Sequence, residues 1–158
     1  MLRIITAFLI LIASSSLGKD VQLVVEDGDI IFQRSTTRQS HVIEAATGSP
    51  YTHMGIIFYE GETAYVHEAV QPVKKTKLIE WIKRGRDGKF VVRRLKDRSA
   101  VDFIKLKREV SRFIGLNYDH KFEWSDSQVY CSELVWKAYA RSSGIEIGAL
   151  RLLRVFNL

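Results

Sequence analysis

The chain has 158 residues, with 24 lysines and arginines against 18 aspartates and glutamates, for a formal charge of +6. That length suits one domain with a real core, and a 46% hydrophobic, 27% charged composition excludes a disordered chain. One cysteine excludes an intrachain disulfide and a thiolate-rich zinc site, while the positive balance keeps an anionic partner in view.

The first residues read as a leader rather than as part of a fold. Arg3 supplies a short positive region, Ile4 to Ala13 is apolar, and Ser14 to Gly18 offers small residues for cleavage. The apolar run is shorter than the roughly 20 residues a spanning helix needs. Residues 1–18 are therefore expected to be a signal peptide and 19–158 one exported domain, periplasmic or extracellular after cleavage.

Beyond the leader, short strand and helix patterns alternate. Glu26 to Asp29 is a turn, and Ile30 to Gln33 is a strand. Gln39 to Thr47 predicts an amphipathic helix stopped by Gly48 and Pro50. His53 to Tyr59 and Thr63 to Val70 predict a hairpin turning at Glu60-Gly61-Glu62. Leu78 to Arg84 reads as a helix, Lys89 to Leu95 as a strand, and Val101 to Ile114 as a second long helix. An aromatic loop with Tyr118, Phe122 and Trp124 leads to a final helix beginning near Cys131. The class is α+β: a small, mainly antiparallel sheet packed against helices.

Cys131 occupies the first turn of that final helix. There the unpaired backbone N–H groups and the positive end of the helix dipole favour a thiolate. A thiol so placed needs a base from elsewhere, and four histidines are available. His41 falls on the polar side of a short helix, and His120 sits in a charged loop; both read as solvated. His53 begins a strand directly after a turn, with Gly55 leaving backbone space beside it. A third group must hold the imidazole and fix its tautomer. Glu68, across the hairpin, is the first candidate and His67 the second; alternation along the strand prevents both from facing one site.

Four segments occur in order: Gly28-Asp29-Ile30-Ile31-Phe32-Gln33, Tyr51-Thr52-His53-Met54-Gly55, Glu68-Ala69-Val70, and Tyr130-Cys131-Ser132-Glu133-Leu134-Val135-Trp136-Lys137. Together with Trp81-Ile82, the Gly88 to Arg94 strand and Asn117-Tyr118-Asp119, this set resembles the permuted papain-like amidases, the YiiX/YebB-like branch of the NlpC-type cysteine hydrolases. The resemblance implies a circularly permuted papain-like fold in which the histidine and its polar partner precede the cysteine. It matches Cys131 to the nucleophile, His53 to the base and Glu68 to the polar third residue. It also implies substrate-lining roles for Tyr118 and Tyr130.

The expected activity is that of an exported amidase or peptidase-like hydrolase, attacking an amide or ester of an envelope component through a thioester. Its expected partner is a peptide, amide or lipid substrate, with room for peripheral membrane contact and no role for nucleic acid. An acyl-group or lipid transferase would use the same chemistry with another acceptor. A non-catalytic binder of anionic envelope polymers is the competing class, resting on the cations between Lys74 and Arg98. No cofactor and no metal are expected: a metal hydrolase is a third option for which His53, His67 and Glu68 could supply ligands, but the last two lie on opposite faces of one strand.

Overall fold

The computed structural model describes residues 23–150, together with the backbone of Phe8–Leu11. The remainder of the expected leader, like residues 151–158, lies outside the described residues. Five strands form an antiparallel sheet in the order β6-β2-β3-β4-β5: β2 (Ile30–Gln33), β3 (His53–Glu60), β4 (Thr63–Glu68), β5 (Lys74–Lys77) and β6 (Phe90–Leu95). Phe8–Leu11, β1, pairs with the outer edge of β6. Among the described residues four α-helices pack with it: α1 (Ser40–Thr47), α2 (Leu78–Arg84), α3 (Phe103–Ser111) and α4 (Cys131–Ser143).

Strand alternation divides the core into two layers. Ile30, Ile56 and Phe58 face α3 and α4, packing on Leu106, Val110, Leu134, Val135 and Ala138. The intervening residues Ile31, Ile57, Val66 and Val92 face α2 and its fully buried Trp81. A helix on each face leaves little apolar sheet in water, the expected source of most of the stability.

Several boundaries differ from the sequence reading for physical reasons. The returning strand of the hairpin stops at Glu68, not Val70. The helix expected over 101–114 covers Phe103–Ser111, because the Asp102 carboxylate caps it by accepting the Lys105 N–H at 2.9 Å. β5 has no apolar alternation to betray it; Lys74-Lys75-Thr76-Lys77 pairs along β4 as a charged, exposed edge. The aromatic loop contains a two-residue parallel pair, β7 (Asn117–Tyr118) with β8 (Gln128–Val129), which delivers the chain to the start of α4.

One glycine is required by close approach. Gly55 lies opposite Glu68, and a Cβ there would meet Val66 Cγ1 at 2.5 Å and the His67 carbonyl oxygen at 2.6 Å. The absent side chain brings β3 and β4 together where His53 and Glu68 must meet diagonally across the pair.

Candidate active site

Cys131 is the first residue of α4, following Tyr130, whose N–H donates to the Glu133 carboxylate at 3.3 Å. Glu133 is fully buried and ion-paired at 2.7 Å with Lys137, one turn on. Lys137, itself almost buried, also donates to the Ser125 carbonyl at 2.5 Å and to Asp126 at 2.8 Å. These contacts tie the aromatic loop to the helix that starts with the cysteine. Asp119 fixes the loop's other end by accepting the N–H groups of Lys121 and Glu123 at 2.9 and 2.6 Å.

His53 and Glu68 lie on the Trp81 face of the sheet, and α4 packs on the other. They meet the thiol at the open end of the hairpin. Ile57 N–H donates to the Asp29 carbonyl, so 53, 55 and 57 bond toward β2, while 54, 56 and 58 bond toward β4. Because β4 ends opposite Gly55, Met54 has no β4 residue across from it, and its N–H points to the Cys131 sulfur instead.

Glu68 is the hub of the polar side. Its Oε2 is 2.6 Å from His53 Nε2 and accepts from Trp81 Nε1 at 2.9 Å and from Arg84; Oε1 accepts from Thr76 Oγ1 at 2.6 Å. His53 also stacks on the Trp81 ring, with centroids 5.8 Å apart. A carboxylate on Nε2 places the neutral ring's proton there and leaves Nδ1 as the acceptor facing Cys131. Burial alone would raise the Glu68 pKa, but the donations from His53, Arg84 and Thr76 overcome it and hold the carboxyl at about 2.

The thiol and imidazole shift each other. Burial pushes His53 down, yet its hydrogen bonds to Cys131 and Glu68 more than compensate and raise it to about 9. Burial likewise pushes the Cys131 thiol up, and the hydrogen bond and charge of His53, with the Met54 and Ser132 N–H groups, bring it below its ordinary value. The direction for both is the same: the pair favours thiolate and imidazolium.

Two clefts meet at Cys131, a residue that is 8% exposed. One, of about 310 Å³, has His53, Thr47, Ser49, Tyr51 and Arg93 on its walls. The other, of about 550 Å³, is walled by Val42 and Ile43 of α1, by Phe122 and Trp124 of the loop, by Trp136 and by Leu150. Tyr130 lines the larger cleft. Tyr118 lines neither; burial, and then the Cys131 charge, raise its pKa, and its ring packs on His120 at 4.8 Å. His41 and His120 are exposed. The residues that sequence reasoning did not assign are Thr76, Trp81, Arg84 and the Met54 N–H. Trp81 alone carried a signal, as part of the family pattern.

His67 points to the opposite face. It is 2% exposed, stands edge-on to Phe58 at 5.3 Å, and neither ring nitrogen has a hydrogen-bond partner among the described residues. Burial lowers its pKa to about 4, opposed by Glu60 and reinforced by Lys107 and Lys75. A folded pKa below the unfolded value of about 6.5 means the native state loses stability as pH falls from 6.5 toward 4. His67→Leu should flatten that loss: the drop in unfolding free energy between pH 7 and pH 4.5, read by urea titration, should shrink by about 2 kcal/mol. An unchanged drop would show that this ring does not titrate in that window.

A family model described as permuted papain-like amidase enzyme, YaeF/YiiX, C92 family, matches residues 24–158, and the chain belongs to that family. It is 43% identical over 134 residues to YiiX, an uncharacterized protein of Escherichia coli strain K12, covering 84% of this chain and 66% of the relative. The crystal structure of the metalloprotein yiiX from Escherichia coli O157:H7 shares the fold, with a TM-score of 0.79 and 42% identity over 84% of this chain and 74% of that one. The α+β architecture is thus the permuted papain-like one. That relative is described as a metalloprotein. Among the described residues no group of three or more His, Cys, Asp or Glu side chains is placed to hold an ion, and both Glu68 oxygens already accept hydrogen bonds from side chains.

Proposed function

We propose that this chain is a thiol-dependent amidase or peptidase-like hydrolase, exported and acting on an amide or ester of the cell envelope. The observation that carries the activity is the His53 ring held between the Glu68 carboxylate and the Cys131 thiol at a helix start. The leader pattern of residues 1–18 supports the location. In this reading His53 Nδ1 takes the thiol proton, and the sulfur attacks the carbonyl carbon. The backbone N–H of Cys131, at the first turn of α4, donates to the forming oxyanion. The imidazolium protonates the leaving nitrogen or oxygen, and water, deprotonated by His53, releases the acid from the thioester. Transfer to an acceptor other than water needs the same residues.

The binder reading is weakened by how the cations are used. Lys75 pairs with Glu60, Arg84 with Glu68, and Arg94 and Arg98 with Glu26 and Asp29, so the basic middle of the sequence is not one free surface.

The test is alkylation of Cys131 by iodoacetamide as a function of pH. The native thiol should react with an apparent pKa well below about 8.5, and His53→Ala should move that midpoint upward by one unit or more. A midpoint near 8.5, unmoved by the substitution, would end the thiolate–imidazolium reading.

A further inference from the structure

Glu68 uses its two oxygens unequally. Among the described residues Oε1 accepts from the Thr76 side chain alone, whereas Oε2 accepts from His53, Trp81 and Arg84 at once. A carboxylate oxygen offers about two lone pairs, so three donors on Oε2 divide its charge among them. The imidazole and the guanidinium therefore compete for one atom.

Arg84 is built into that place. It ends α2 one turn after Trp81, so the two side chains leave the helix on the same face. Trp81 is fully buried in the layer of Ile31 and Ile57 and fixes the helix against the sheet. Directly after Arg84 the chain presses on β2. A Cβ on Gly85 would meet Gln33 Oε1 at 2.2 Å, and the Arg86 N–H donates to the Arg34 carbonyl at 2.9 Å. The Arg84 side chain is 40% exposed while Glu68 is wholly buried, so a partly hydrated, permanently charged group draws on a buried oxygen.

The charged and titratable groups around the His53 ring are Cys131 of α4, Glu68 of β4, Arg84 of α2 and, in the smaller cleft, Arg93 of β6. Of the two arginines, only Arg84 touches the carboxylate that holds the ring. A buried carboxylate acting on His53 without that draw would favour the imidazolium more strongly. Such a ring is a poor acid toward a leaving group and, staying protonated at neutral pH, no base for water. Arg84 loosens the hold in two ways. It takes up part of Oε2, and its positive charge opposes a second proton on the imidazole. The contact with Glu68 remains, so the tautomer stays fixed.

We infer that Arg84 is a positioning residue that sets the basicity of His53 through the oxygen they share, keeping Glu68 an orienter of the ring rather than a trap for its proton. The catalytic meaning of this role rests on the hydrolase reading above. An Arg84 that merely kept Glu68 in place would act in the opposite sense: its loss would free the carboxylate from the ring, and His53 would become less basic.

The test is a 15N NMR titration of the His53 ring in the full chain, with Cys131→Ala in the background so that one group titrates rather than a coupled pair. Comparison with His53→Gln assigns its signals among the four histidines. Arg84→Met should raise the His53 midpoint by about one unit, with the proton of the neutral ring still on Nε2. Glu68 keeps three donors in that variant, so the fold should survive. Arg84→Gln, which retains a neutral donor, should raise the midpoint as well and decides the matter should the methionine variant not fold. With Cys131 restored, the alkaline limb of kcat/KM toward 4-nitrophenyl acetate should move upward by the same amount. A midpoint that falls or stays in place, or a limb that does not follow it, would overturn the inference. Absence of any Cys131-dependent turnover would defeat the hydrolase reading instead, and the titration alone would then decide the role of Arg84.

Discussion

Cys131→Ser should remove turnover by at least about 10³-fold while leaving the fold in place. Serine is nearly isosteric, but its hydroxyl ionises far less readily than a thiol, so the ion pair with His53 on which the attack depends does not form. The Met54 and Ser132 N–H groups and the His53 ring favour an anion that forms far less readily on oxygen than on sulfur. Thermal unfolding should be almost unchanged, since the nearly isosteric side chain fills the same place at the start of α4 and the apolar contacts of Leu134, Val135 and Ala138 remain. Single-turnover assays with an activated ester, alongside circular dichroism, check both halves. Turnover retained within tenfold would sink the covalent mechanism.

Glu68→Gln should have two large effects rather than one. The carboxylate is wholly buried and accepts from His53, Trp81, Arg84 and Thr76 at once. An amide brings one acceptor oxygen and an NH2 group that can only face these donors as another donor. The expected loss of stability is about 2–4 kcal/mol, or roughly a 4–16 °C fall in Tm for a domain of this size. Activity should fall about 10²- to 10⁴-fold, less than in Cys131→Ser, because the imidazole loses the partner that sets its tautomer. The pH dependence separates these effects from a simple packing defect. Glu68 is held at about 2, so it contributes stability fully above its unfolded value of about 4.5, which is lost as pH falls toward 2. His53 is raised to about 9, so its contribution is complete below about 6.5 and is lost as pH rises through 9. The variant should lose the acid-side dependence and part of the alkaline one. A stability difference from wild type that is constant with pH would mean Glu68 acts only by filling space.

Much of this site was legible before any coordinates. Cys131 announced itself as the lone thiol before an apolar helical run, and strand alternation showed that Glu68 and His67 could not both face the imidazole, with Glu68 the first candidate. The structure places the His67 ring and the Glu68 carboxylate on opposite faces, with His67 against Phe58 and Glu68 against His53. What stayed hidden is the layer around Glu68. Thr76 lies in Lys74-Lys75-Thr76-Lys77, a strand specified by pairing with β4 rather than by its own pattern. Arg84 read as one more cation in a basic stretch, because a surface charge and one reaching a buried carboxylate look alike in a sequence. The two clefts were equally invisible: they arise where α1, the aromatic loop and α4 converge, and no local periodicity encodes a convergence.

The parts that make Cys131 unusual come from a hairpin far ahead of it in the chain and join only when β3, β4 and α4 are docked. An unfolded chain therefore carries an ordinary thiol of pKa about 8.5, slow to attack esters and slow to alkylate at neutral pH. Reactivity is switched on by the last tertiary contacts rather than by synthesis of the residue. The thiol is thus a built-in reporter of completed folding, and a newly made chain reacts only as an ordinary cysteine does until its hairpin and final helix have found each other.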